Sequence, residues 1–145
     1  MTVRDFQIPG LLSDMLSQRR LSRKQGSWQL RADADHYGQR LETELGLVHP
    51  SLQAIEEATT ELPLGFPSDE ANYPDDFKGE PGHIPYITDF AAIVEFGLSG
   101  DGAPFCLDYR FDSAQPSVIW WDDTYWRKIA PTFEDFISLF DLSTP

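Results

Sequence analysis

The chain has a single cysteine, Cys106, among its 145 residues. An internal disulfide is therefore excluded, and a reducing compartment is the simplest reading. Long apolar runs are also missing. Nothing approaches the ~20 consecutive apolar residues that cross a bilayer, and Met1 to Gly10 is too mixed for a signal peptide. Positive charge is scarce, with 11 Lys and Arg against 24 Asp and Glu and a formal charge of -13. A direct nucleic-acid or anionic-membrane binder needs the cationic surface that this chain lacks. The expectation is a cytoplasmic protein. His36, His49 and His83 are scattered, none has a second ligand four residues away, and no paired-cysteine spacing exists. Gly97, Gly100 and Gly102 come without a phosphate-binding lysine or a dinucleotide fingerprint, so a hairpin turn accounts for them. No metal and no cofactor is expected.

What is present is apolar and aromatic enough to fold. Hydrophobic residues make up 41% and aromatic residues 13% of the chain, which speaks against wholesale disorder. A chain of this length buries about two thirds of its unfolded surface and needs no staple. Residues 1–40 carry a net charge of +3 and residues 41–145 a net charge of -16. Some 40 residues rarely fold alone, so the N-terminal part is expected to pack on the acidic remainder in one domain, 1–145. Within it, 1–62 reads as a helical part, 63–83 as an acidic proline-rich loop, and 84–145 as sheet plus a last helix.

Leu11, Leu12, Met15 and Leu16 form one stripe at helical spacing after Pro9-Gly10. Trp28 to Arg31 reads as a short extended piece. Tyr37, Leu41 and Leu45 predict a second helix over about 35–45, stopped by Gly46. A third starts at Pro50-Ser51, turns Leu52, Ile55 and Leu62 inward and Glu56, Glu57 and Glu61 outward, and ends at Pro63. Five prolines and a run of acids then exclude regular structure from 63 to 85. Phe66, Tyr73 and Phe77 are expected to pin that loop. Strands are predicted at 84–87, 93–96, 105–111, 117–121 and 125–130. In the third of these, Phe105, Leu107, Tyr109 and Phe111 alternate with Cys106, Asp108, Arg110 and Asp112, which predicts one buried and one polar face. Thr132 caps a C-terminal helix that presents Phe133, Phe136, Ile137 and Phe140 on one side.

Catalytic chemistry finds little support. A nucleophilic cysteine needs a base or a positive surrounding. The strand neighbours of Cys106 are Asp108 and Arg110, a mixed signal, so a packing role is favoured. Asp101, Asp108, Asp112, Asp122 and Asp123 lack calcium-loop spacing and read as turn carboxylates. Trp120 and Trp121 point to opposite faces of their strand, so one belongs to the core and one under a loop or helix. Trp126 adds a ring that could serve a peptide groove.

The C-terminal half resembles the SUKH superfamily of Smi and Knr cell-wall regulators and bacterial immunity proteins. The residues that carry the likeness run from about Ile84 to Leu142. They are Ile84-Pro85, Val94-Glu95-Phe96-Gly97, Gly100-Asp101-Gly102 leading into Pro104 to Tyr109, Pro116 to Asp123, and Ile129 to Phe136. The resemblance implies an α+β fold, a mostly antiparallel sheet flanked by helices, and a non-enzymatic role. Bacterial members are regarded mostly as immunity proteins against toxins, often nucleases; fungal members act as signalling scaffolds. Joined to the charge, it leads to an expected function of neutralising a cationic toxin domain through an acidic surface. The expected contacts are Asp69, Glu70, Asp75, Asp76, Glu80, Asp101, Asp122, Asp123 and Trp126. The alternative is an intracellular regulatory scaffold with a peptide groove, and a small cysteine hydrolase comes last.

Overall fold

The structure is a computed structural model that describes residues 1–18, 28–66, 78–122 and 125–141. Its centre is a six-stranded antiparallel sheet in which every strand lies beside its predecessor. The strands are β3 (Trp28–Gln29), β4 (Glu44–Val48), β5 (Ile93–Ser99), β6 (Pro104–Asp108), β7 (Ser117–Asp122) and β8 (Tyr125–Ala130). Ahead of them come a two-stranded hairpin, β1 (Thr2–Val3) and β2 (Phe6–Gln7), and the helix α1 (Gly10–Gln18). Helix α2 (Leu52–Gly65) lies between β4 and β5, and α3 (Phe133–Ile137) follows β8.

Both faces of the sheet are covered. On the first, Phe96, Phe105, Val118, Trp120 and Ile129 join the α3 rings, Leu12 and Met15 of α1, and Val3 and Ile8. Phe105 and Phe136 meet at 5.0 Å between ring centroids, and Phe96 and Phe133 at 5.2 Å. Thr132 caps α3 by accepting the Asp135 amide, as its sequence predicts. On the second face Ile93, Cys106, Ile119 and Trp126 pack with Leu62 of α2 and with Ile84, Ile87 and Phe90.

That second cover changes the reading of several segments. Residues 105–111 do not have a polar face: Cys106 and Asp108 are buried, and the strand stops at Asp108. Phe111 lies beyond the strand and is 67% exposed. The stretch 84–87 is not a strand. Ile84 and Ile87 go into the second cluster, and the Arg110 guanidinium takes the carbonyls of Pro85 and Tyr86 at 3.1 and 3.2 Å.

The predicted helix over 35–45 is also absent. Asp35 accepts the amides of Tyr37 and Gln39 at 2.8 and 3.0 Å, and Gly38 takes a positive φ of 80°. This side-chain turn competes with helix. Leu41 and Leu45 are buried all the same, one in a loop and one in β4. Gly46 is a strand residue, where a Cβ would lie 2.9 Å from the Ser99 carbonyl oxygen. Pro63 sits inside α2, which runs on to Gly65 and closes through a hydrogen bond from the Phe66 amide to Leu62 O. Phe66, at the end of α2, packs against Trp121 at 5.5 Å between centroids. Tyr73 and Phe77 lie outside the described residues.

Candidate protein-docking surface

Strand register gathers the acids. Leu45 pairs with Ser99, and Asp122 pairs with Tyr125 across the β7–β8 hairpin. The β5–β6 turn, the start of β4 and the end of β7 therefore share one end of the sheet. That end carries Glu42, Glu44, Asp101 and Asp122. A cleft of about 250 Å³ opens there, lined by Gln29, Glu42, Thr43, Glu44, Gly100 and Asp101. Three of these six are carboxylates and none is basic.

Local geometry holds the cleft. Gln29 Nε2 donates to Glu44 Oε2 at 2.6 Å, and the Gly100 amide donates to the Glu44 carbonyl at 3.2 Å. The Glu44 side chain lies where a Cβ on Gly100 would be, so glycine there makes room for the carboxylate. Asp101 accepts from Ser99 Oγ, and Gly102 completes the turn at a φ of 90°. The arginines of this end are engaged locally. Arg31 donates through Nε to Phe140 O, Arg40 donates to Glu42, and Arg127 binds Asp35 and Asp122. Burial works against the Arg127 charge, but the hydrogen bonds it donates to Asp35 and Asp122, with their negative charges, outweigh it and raise its pKa.

Of the expected contacts, Asp101 is exposed at the cleft and Asp122 is half-buried on the same end. Glu80 is exposed and accepts from Gln39 Nε2 at 3.2 Å. Asp69, Glu70, Asp75, Asp76 and Asp123 lie outside the described residues. Trp126 requires a correction, because it is 0% exposed and packs on Trp121, Phe90 and Phe66. Its face of β8 is the one beneath the second cover, so it fills the core and offers no surface to a groove. Glu42 and Glu44 were missed, since the residues around them read as helix. A register shift between Leu45 and Leu47 buries Leu45 and Val48 and exposes Leu47, so no clean alternation marked this strand.

Cys106 lies fully buried beside its cross-strand partner Glu95. Burial raises its pKa well above 9.0, and Glu95 and Asp108 push it further up. His49 reaches Glu95 at 2.7 Å. The three share one face, yet the thiol is kept protonated and sealed, the reverse of what a nucleophile needs. Among the described residues no group of three His, Cys, Asp or Glu side chains is placed to hold a metal. No described helix is long and apolar enough to cross a membrane.

Sheet, covers and acidic end together define an α+β protein whose most open chemistry is charge. Residues 34–139 match the family described as SMI1 / KNR4 family (SUKH-1), and the chain belongs to that family. The match begins some 50 residues before the stretch that carries the resemblance in sequence. No curated protein and no solved structure matches the chain.

Proposed function

We propose that this chain is a non-enzymatic, immunity-type binding protein that neutralises a cationic toxin domain, with the acidic end of its sheet as the docking surface. The observation that carries the reading is the cleft of Glu42, Glu44 and Asp101, with Asp122 on the neighbouring hairpin end. Four exposed or half-buried carboxylates there belong to a segment, 41–145, of net charge -16. A nuclease domain carries positive surface for its own substrate. Complementary fields raise encounter rates by about 10–10³ and weaken with salt. Acyl or thiol chemistry is disfavoured because Cys106 is sealed.

The test is a pull-down, at low and high salt, of proteins encoded beside this one. A basic partner whose capture falls with salt, and falls again in an Asp101→Asn/Glu44→Gln variant, is the expected result. Capture of only neutral or acidic partners, insensitive to salt, would refute the reading.

A further inference from the structure

Arg127 is a buried cation, 5% exposed, and its guanidinium links β8 to two other pieces of chain. Nη1 donates to Asp122 Oδ2 at 2.9 Å. Nη2 donates to Asp35 Oδ2 and to the Arg40 carbonyl, each at 2.9 Å. The other oxygen of Asp35 is taken by the amides of Tyr37 and Gln39. Arg40 in turn donates to Glu42. One guanidinium thus fixes Asp122 at the end of β7 and the turn that delivers Glu42.

A planar fork suits this task better than a point charge, because it can serve two carboxylates and a carbonyl at once. Stability alone is a weak reason for such a group, since buried ion pairs are often no better than well-packed apolar residues. We propose that Arg127 is a positioning residue of the acidic docking surface, holding Asp122 and the 35–42 segment in place for a basic partner without meeting that partner. This rests on the docking function proposed above. Preorganisation lowers the ordering cost of binding and shows in dissociation, whereas charge shows in encounter and salt dependence.

An immobilised octa-arginine peptide is the probe, with association and dissociation rates read at several salt concentrations. Amide hydrogen exchange is followed in parallel. Arg127→Lys keeps the net charge, so its association rate and salt slope should stay at wild type. Its dissociation rate should rise about tenfold. Exchange at Tyr37 and Gln39 should quicken while Cys106 and Leu107 stay protected. Asp35→Asn keeps the acceptor for those amides and should shift dissociation the same way by less. If both variants melt earlier yet release the probe at the wild-type rate, Arg127 serves stability only and the proposal falls. If the wild type ignores the probe even at low salt, the docking reading fails on its own account. Exchange then decides Arg127: lost protection at Tyr37 and Gln39 supports its positioning role, and unchanged protection overturns it.

Discussion

His49 Nε2 stands 2.7 Å from Glu95 Oε2, and the two side chains are 13% and 9% exposed. The pair ties the segment before α2 to β5, at a bulge between Glu95 and Gly97. There the Glu95 amide turns to Thr59 Oγ1 of α2 at 3.0 Å. Removing one partner of a buried hydrogen bond leaves the other polar group unsatisfied, which costs about 1–3 kcal/mol. His49→Ala should therefore lower unfolding stability by about 2 kcal/mol in urea titration, and Glu95→Gln, which keeps an acceptor, by about 1 kcal/mol. Two equal losses of a few tenths would mean the pair is solvated and unimportant.

The bulge also shows where sequence reasoning stopped. Amphipathic stretches were legible: α1 from Leu12 and Met15, α2 from Ile55 and Leu62, α3 from its Phe spacing, and β5 to β8 from apolar runs. The 35–45 segment was not, because Tyr37, Leu41 and Leu45 keep helical spacing by coincidence while Asp35 takes two backbone amides that a helix would use. The second cover of the sheet was legible at 117–121, a run apolar on both faces, but not on its neighbours β5 and β6. A polar residue such as Glu95 or Asp108 reads as solvent-facing until its partner, His49 or Arg110, is seen. Asp101 and Asp122 were legible as turn carboxylates, but their common end of the sheet is a matter of register, which no local pattern encodes. Trp126 misled for the same reason, since an aromatic at a strand end fits core and interface equally.

Alkaline pH should unfold this protein by steps. Burial raises the Cys106 thiol well above 9.0, and raises the Tyr37 phenol from 10.0 to about 12 with help from Asp35 and Asp135. Tyr109 is raised by burial too, with its hydroxyl donating to Gln7 O at 2.8 Å. Above the ordinary values the unfolded chain releases these protons while the folded chain keeps them, so rising pH favours unfolding. Stability should be flat through pH 8, decline from about 9 as the thiol of the unfolded chain ionises, and decline faster above about 10. Cys106→Ala should move the onset to about 10. A midpoint that holds steady from 8 to 11 in wild type would refute this. Thiol labelling of native Cys106 should proceed only as fast as unfolding.

The N-terminal hairpin turns through Arg4 and Asp5 at φ values of 51° and 68°. Both are left-handed positions where a two-residue turn prefers glycine or asparagine. Arg4 is retained by its contacts: its guanidinium donates to Thr60 Oγ1 at 3.1 Å and lies 3.5 Å from Glu56. No hydrogen bond or ion pair of the Asp5 side chain offsets its strain among the described contacts. Asp5→Gly should stabilise by about 0.5–1 kcal/mol, seen as a higher thermal midpoint. Arg4→Gly should do less, or destabilise, because it surrenders the tie to α2. The reverse order would show that the turn is not where the strain lies.

Gly97 pairs with Val48 of β4. A Cβ placed there would lie 2.5 Å from the Leu47 carbonyl oxygen, which is backbone and cannot swing aside. Gly97→Ala must therefore push β4 from β5, and overpacking of this kind costs about 3 kcal/mol. Gly10 supplies the contrast. It opens α1, has ordinary φ, and nothing lies within 4 Å of its would-be Cβ. Gly10→Ala should be neutral to stabilising by about 0.5 kcal/mol through the unfolded chain. Urea midpoints of the two variants, measured side by side, should thus move in opposite directions. Because Gly97 lies two residues before the acidic turn, its alanine variant should also lose salt-sensitive partner capture while Gly10→Ala retains it. A Gly97→Ala protein that is as stable as wild type would show that β4 and β5 pack more loosely than these distances say.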